Sequence, residues 1–254
     1  MLGSIATNEA SVFEQFLSLF KLEGSSVLEI GGCLPEDLVR SSKVKSWTSV
    51  DPLAQVASTV DGIDRIRAPI ENARLVDSSF DFVFSCNAFE HINELGLAMQ
   101  RVTAAMKPGG RLFSHFGPIW SGPDGHHIED VFGGKSINFW EPPYLPHWCH
   151  LAYSREELKA LLETSFSSNM AEEVADWVFQ NTWTNKLYYE DYLEIFSASG
   201  LQILDLTTSE NLDYDYKLED GYPRPPEMLA RAQMKTARPR NLAIREICVI
   251  LGKL

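Results

Sequence analysis

Basic residues are scarce in this chain. Lys and Arg number 22 against 35 Asp and Glu, a formal net charge of −13. So acidic a surface lacks the clustered cations that release counterions from a phosphate backbone, which argues against a nucleic-acid partner. The same deficit disfavours anionic membrane surfaces, and no run approaches the ~18 consecutive apolar residues of a membrane span. Residues 1–11 carry neither the basic nor the apolar region of a signal peptide, so a cytoplasmic location is expected. Cysteine is sparse too. Cys33, Cys86, Cys149 and Cys248 form no CxxC pair, which reads as reduced thiols rather than a disulfide framework. Internal repeats and low-complexity tracts are missing.

What is present is an ordinary globular composition, 44% apolar over 254 residues, enough for one elaborated domain with a large core. The first half alternates short apolar runs with amphipathic segments, the pattern of βα units around a parallel sheet. Phe13, Phe16, Leu17 and Phe20 fall at helical spacing within Val12–Phe20. Ser26–Ile30 reads as a buried strand ending in Gly31-Gly32, and Pro35-Glu36-Asp37 suits the first turn of a helix. Trp47–Asp51 and Phe80–Ser85 are further strands, with a helix expected over Ile92–Met106. Lys107-Pro108-Gly109-Gly110 predicts a turn before a strand at Arg111–His115.

From Gly117 the rhythm breaks. Residues 118–185 hold Pro118, Pro123, Pro142, Pro143 and Pro146 together with Trp120, Trp140, Trp148 and Trp177. A disordered linker is poor in aromatics, so this stretch reads as a folded insertion. Within it Ser154 and Glu157 have the spacing of a capping box for a helix over Tyr153–Leu162. The α/β pattern returns with a helix at Tyr188–Ser199 and strands at Leu201–Leu206 and Ile244–Leu251. Residues 208–240 form a second, smaller insertion, whose acidic stripe Asp213, Asp215, Glu219 and Asp220 reads as a solvated loop.

A strand that ends in a glycine pair and feeds a helix lets a ligand approach backbone N–H groups closely. A second strand ending in an acid about 20 residues on suits a ribose diol. Gly31 and Asp51 have that interval, which points to an adenosine-containing ligand. The G-x-G-x-x-G of nicotinamide enzymes is not supplied by Gly31-Gly32-Cys33-Leu34-Pro35-Glu36.

These residues resemble the class I S-adenosylmethionine-dependent methyltransferases over residues 12–116 and 186–254. Val27-Leu28-Glu29-Ile30-Gly31-Gly32 is similar to the family's first motif and Ser49-Val50-Asp51 to its second. Glu71-Asn72 with Asp77–Val83, Asn87–Ile92 and Met106–Leu112 follow in the family's order. The chain departs from the pattern at Cys33 and Pro35, which stand where second and third glycines are usual, and at Pro69, near the position of an acid for the adenine amino group. The resemblance implies a Rossmann-like, doubly wound, mostly parallel sheet spanning residues 1–254 with an aromatic-rich substrate cap at 118–185. It implies S-adenosylmethionine as cofactor, held by Glu29, Gly31, Gly32, Asp51, Ile70, Glu71 and Asn87, with Ile70 against the adenine.

Methyl transfer from a sulfonium needs mainly alignment, with a base where the acceptor is a hydroxyl. His126 or His127 is the expected base, since imidazole titrates near neutral pH. His115, Trp120 and Trp140 are the expected substrate contacts. His126, His127, Glu129 and Asp130 lack the paired spacing of a structural zinc site, and no metal is expected. The reading is O-methylation of a small metabolite; the altered glycine motif leaves a non-methylating cyclase or cofactor-binding protein on the same scaffold as the alternative.

Overall fold

The computed structural model describes residues 9–32, 34–54, 57–141, 145–210 and 222–254. Cys33, Tyr144 and the acidic stripe at 213–220 lie outside them. The chain forms two compact units. One comprises Met1–Gly117, Asp191–Ser209 and Glu246–Leu254, the other Pro118–Glu190 and Glu210–Arg245. The stretches read as two separate insertions therefore share the second unit, whose two segments each end five residues later than expected, at Glu190 and Arg245.

In the first unit α1 (Glu9–Leu19) leads into β1 (Ser26–Ile30), α2 (Glu36–Ser41) and β2 (Ser46–Val50). The hairpin β3 (Ser58–Val60) and β4 (Ile63–Ile66) follows, then β5 (Phe80–Cys86), α3 (Leu95–Ala105) and β6 (Met106–Phe116). The second unit contributes β7 (Glu129–Phe132), β8 (Lys135–Asn138), α4 (Cys149–Ala152), α5 (Arg155–Leu162) and α6 (Ser168–Gln180). Helix α7 (Tyr189–Ala198) and β9 (Gln202–Ser209) precede α8 (Pro225–Lys235), and β10 (Glu246–Gly252) completes the sheet.

The eight-stranded sheet runs β3-β4-β2-β1-β5-β6-β10-β9. Strands β4, β2, β1, β5 and β6 are parallel neighbours, while β10 is antiparallel to both β6 and β9. The sheet is thus the mostly parallel, Rossmann-like one expected. Four of the five residues in each of β1 and β2 are buried, as strands covered on both faces require. On one face Phe13 and Phe16 of α1 meet Trp47, Phe84 and Phe113; the Phe13 ring stands edge-on to Trp47 at 5.8 Å. On the other, Phe116 packs against Tyr192 at 5.0 Å and Phe89 against Phe196 at 6.3 Å.

Some local expectations need correction. The helix expected over Ile92–Met106 begins only at Leu95, because Ile92 takes an extended conformation after a short turn at Phe89–His91. The expected turn at Lys107–Gly110 is drawn into β6, where a register shift against β5 between Phe80 and Phe82 absorbs it. The β3–β4 hairpin, the β7–β8 hairpin and helices α6 and α8 were not anticipated. In α8 the prolines sit in the first turn, where a missing N–H costs nothing, so a stretch that reads as broken starts a helix instead.

The second unit has its own core. Trp148, Ile137, Leu158, Leu162, Val174 and Met228 are all buried in it. The indole Nε1–H of Trp148 donates to the Leu242 carbonyl at 2.8 Å, so the ring is both packed and satisfied. The capping box at Ser154 and Glu157 forms as its spacing predicts.

Candidate active site

The parallel strands reverse their order about β1, with β2 on one side and β5 on the other, and open α/β sheets bind ligands beyond the strand tips at such a point. A cleft of about 220 Å³ lies there, in the first unit. Its walls are Ile30, Gly31, Val50 and Pro52 from the β1 and β2 tips, Pro69, Ile70 and Glu71 after β4, and His91–Asn93 after β5. The late start of α3 leaves residues 91–93 to form one wall.

Gly31 and Asp51 are brought together. The Gly31 N–H donates to the Val50 carbonyl at 2.9 Å, one residue from Asp51. Gly31 has φ of +69°, and a Cβ there would stand 2.2 Å from that of Ala88, so only glycine makes this turn. Asp51 Oδ1 accepts the Leu53 N–H at 2.6 Å, and Oδ2 meets no donor among the described residues. Ile70 is buried and Glu71 half-buried, and both face the cleft.

Glu29 plays another part than direct contact. It is 3% exposed; Oε1 accepts the Leu34 N–H at 3.0 Å and Oε2 the Trp47 indole at 2.9 Å. Burial raises its pKa against these hydrogen bonds. The side chain ties the loop after β1 to β2 and so holds the glycine pair in place. Ser49 Oγ, which donates to the Gly32 carbonyl at 2.6 Å, strengthens the same tie. Asn87 adopts φ of +46° and its N–H donates to the His115 carbonyl at 3.0 Å; it is not among the cleft-lining residues.

His115 is enclosed rather than presented to a ligand. It is 4% exposed, with Nδ1 3.3 Å from Gln15 Oε1 and Nε2 3.6 Å from Glu246 Oε2. Its strand neighbours in register are Cys86 and Cys248. Cys86, Cys149 and Cys248 are unpaired and buried, and burial pushes the Cys248 thiol up to about 12. Nearby Glu90 is fully enclosed, its Oε1 accepting the Gly117 N–H at 2.9 Å, and burial raises its pKa.

In the second unit four histidines are buried: His126, His127, His147 and His150. His126 Nδ1 accepts the Ile128 N–H at 3.2 Å, which fixes the tautomer with its proton on Nε2. Burial drives its pKa well down, and His150, His127 and His147 add to that. His150 donates Nε2–H to the Trp120 carbonyl at 2.7 Å; burial lowers it to about 4 despite that bond. His127 lies 4.8 Å from the Phe139 ring. Trp120 is half-buried with the Lys186 ammonium 5.3 Å from its ring centre, while Trp140 is 47% exposed. Glu129 and Asp130 stand exposed on the β7–β8 hairpin.

His91 and Ile92 belong to the Asn87–Ile92 segment that the resemblance brings beside the cofactor, whereas the cleft residues Pro52 and Asn93 escaped the sequence reading of the site. Two features fit an adenosyl ligand: apolar walls at Val50, Pro52 and Ile70 for a flat base, and the open Asp51 oxygen for a ribose hydroxyl.

Residues 32–114 match a family model described as a methyltransferase domain. No curated protein matches the chain. Among solved structures it is similar to an S-adenosylmethionine-dependent methyltransferase from Listeria monocytogenes, at 12% identity and TM-score 0.52, covering 97% of this chain and 100% of that one. It is also similar to a geranyl diphosphate C-methyltransferase from Streptomyces coelicolor A3(2), at 9% identity and TM-score 0.53, over 96% of this chain and 78% of the other. A [4+2]-cyclase shares the fold at 14% identity and TM-score 0.52, over 99% and 83%. At these identities the structural likenesses concern the fold. No helix among the described residues is long and apolar enough to cross a membrane.

Proposed function

We propose that this chain, whose residues 32–114 match a methyltransferase-domain model, is a class I S-adenosylmethionine-dependent enzyme that methylates an oxygen of a small metabolite. S-adenosylmethionine, the family's cofactor, supplies a methyl group already activated by its sulfonium. The observation that carries the site assignment is the cleft at the β1 and β2 tips with the open carboxylate oxygen of Asp51 beside it. Ile70 packs on the base, Asp51 takes a ribose hydroxyl, and Gly31 leaves room for close approach of the ligand. Glu29 acts through the loop it fixes.

For the acceptor, the second unit offers aromatic surface and histidine. The half-exposed indole of Trp140 suits an apolar or aromatic molecule, and Trp120, whose ring carries the Lys186 ammonium, adds a half-buried indole. His126 or His127 is the proposed base, and His127, beside the Phe139 ring, is the one tested first. His126 already spends its acceptor nitrogen on the Ile128 N–H, a loop-stabilising role. His115, occupied by Gln15 and Glu246, is left out of the acceptor set.

The test is incubation with S-adenosylmethionine and a panel of hydroxylated small molecules, with S-adenosylhomocysteine read by mass spectrometry. Turnover that falls about 10²–10⁴-fold in His127→Ala supports the base assignment. Conversion of an acceptor without S-adenosylhomocysteine supports the cyclase alternative.

A further inference from the structure

The cofactor motifs leave one carboxylate unused. Glu9 opens α1, well away in sequence from the glycine pair, yet its carboxylate reaches over to it. An ideal Cβ on Gly32 would stand 3.1 Å from Glu9 Oε1 and 3.5 Å from Glu29 Oε1. A Cβ at position 32 would crowd the Glu9 carboxylate, so this acid stands directly against the glycine loop.

Its environment is unfavourable for an anion. The group is half-buried, and burial raises its pKa, with Glu29 and then Asp51 adding repulsion. Glu29 is satisfied by Leu34 and Trp47, and Asp51 in part by Leu53. Glu9 has no such relief: among the described residues neither a hydrogen-bond donor nor a cation meets its carboxylate. A helix of this length gains a few tenths of a kcal/mol from an acid in its first turn, a benefit that requires neither burial nor proximity to Gly32. A carboxylate drawn into a site with other carboxylates is stabilised by a cation that arrives with the ligand.

We propose that Glu9 is the residue that recognises the α-ammonium group of the cofactor's amino-acid end. The inference rests on the cofactor reading of the cleft and extends it past the adenosyl part, to a residue outside the matched family segment. Glu29 sets the loop, Asp51 takes the ribose, and Glu9 discriminates a ligand that carries an amine from one that stops at the nucleoside. The methionine end therefore runs along Gly32 toward the start of α1.

Calorimetric titration of the full chain with S-adenosylhomocysteine and with 5′-methylthioadenosine, which lacks the amino-acid group, tests this. In Glu9→Gln, which keeps the shape and removes the charge, affinity for S-adenosylhomocysteine falls about tenfold or more. Affinity for 5′-methylthioadenosine stays within twofold of the unmodified protein, which also shows that the cleft is intact. Equal effects on the two ligands, or none on either, overturn the assignment. A loss seen with S-adenosylmethionine but not with S-adenosylhomocysteine overturns it as well, because it moves the role of Glu9 to the sulfonium. An unmodified protein that binds neither ligand would reject the cofactor site itself, and the role of Glu9 with it.

Discussion

The two units differ in the buried carboxyl and imidazole groups whose ionisation burial shifts. In the first, Glu29 and Glu90 are buried acids whose pKa burial raises. In the second, His126 and His150 are buried bases whose pKa burial lowers. Both arrangements favour the neutral form, but they respond to pH in opposite directions. The first unit builds its site by fixing a loop with hydrogen bonds to carboxylates. The second holds aromatic and imidazole rings in an interior of its own.

The largest expected effect comes from breaking the turn in the first unit. Gly31→Ala places a methyl group 2.2 Å from the Ala88 Cβ on a backbone at positive φ. Overpacking and strain of this kind cost about 2–5 kcal/mol together. Denaturant titration should show that loss, and S-adenosylhomocysteine binding should vanish.

Acidification should then separate the units. Below pH 6.5 unfolded His150 takes up a proton that the folded side chain refuses until about pH 4. The second unit accordingly loses stability as pH falls through that window, by on the order of 3 kcal/mol. For Glu29 and Glu90 the folded pKa lies above the unfolded 4.5, so their contribution is full below that pH and is lost as pH rises. Hydrogen-exchange protection at pH 5 against pH 7.5 should drop across α4 and α5 while β1 and β5 hold. A uniform drop would show that the buried groups do not govern the difference.

A smaller change sharpens the first unit's side of the comparison. Trp47→Phe keeps a ring against Phe13 but removes the N–H held by Glu29 Oε2. Leaving that buried oxygen without its donor should cost about 1–3 kcal/mol, read as a shift in the denaturation midpoint. The smallest is in the second unit. Ser154→Ala removes the capping box of α5 and should cost about 1 kcal/mol by the same measurement, with cofactor affinity unchanged.

How much of this was legible in the chain follows the same division. The parallel strands, the Gly31–Asp51 pairing and the capping box each depend on residues near one another in sequence or at strand ends, where period and turn chemistry speak directly. The fate of Glu29 and His115 was not legible, because it depends on partners from distant segments: Trp47 for one, Gln15 and Glu246 for the other. Helix α8 was hidden by its own Pro225-Pro226 start, and Asn93 of the cleft wall by a helix expected from Ile92 onward. The histidines were visible as a cluster, but only the hydrogen bond to Ile128 shows that His126 has its acceptor nitrogen engaged.

The account stands most directly on the proposal that Asp51, which follows the cleft-lining Val50 at the β2 tip, takes a ribose hydroxyl. Titration of S-adenosylhomocysteine into the unmodified protein and Asp51→Ala measures this. The account predicts a weakening of about 1–3 kcal/mol, with only a small drop in the melting midpoint from the lost Leu53 hydrogen bond. Equal affinity in the two proteins would contradict it.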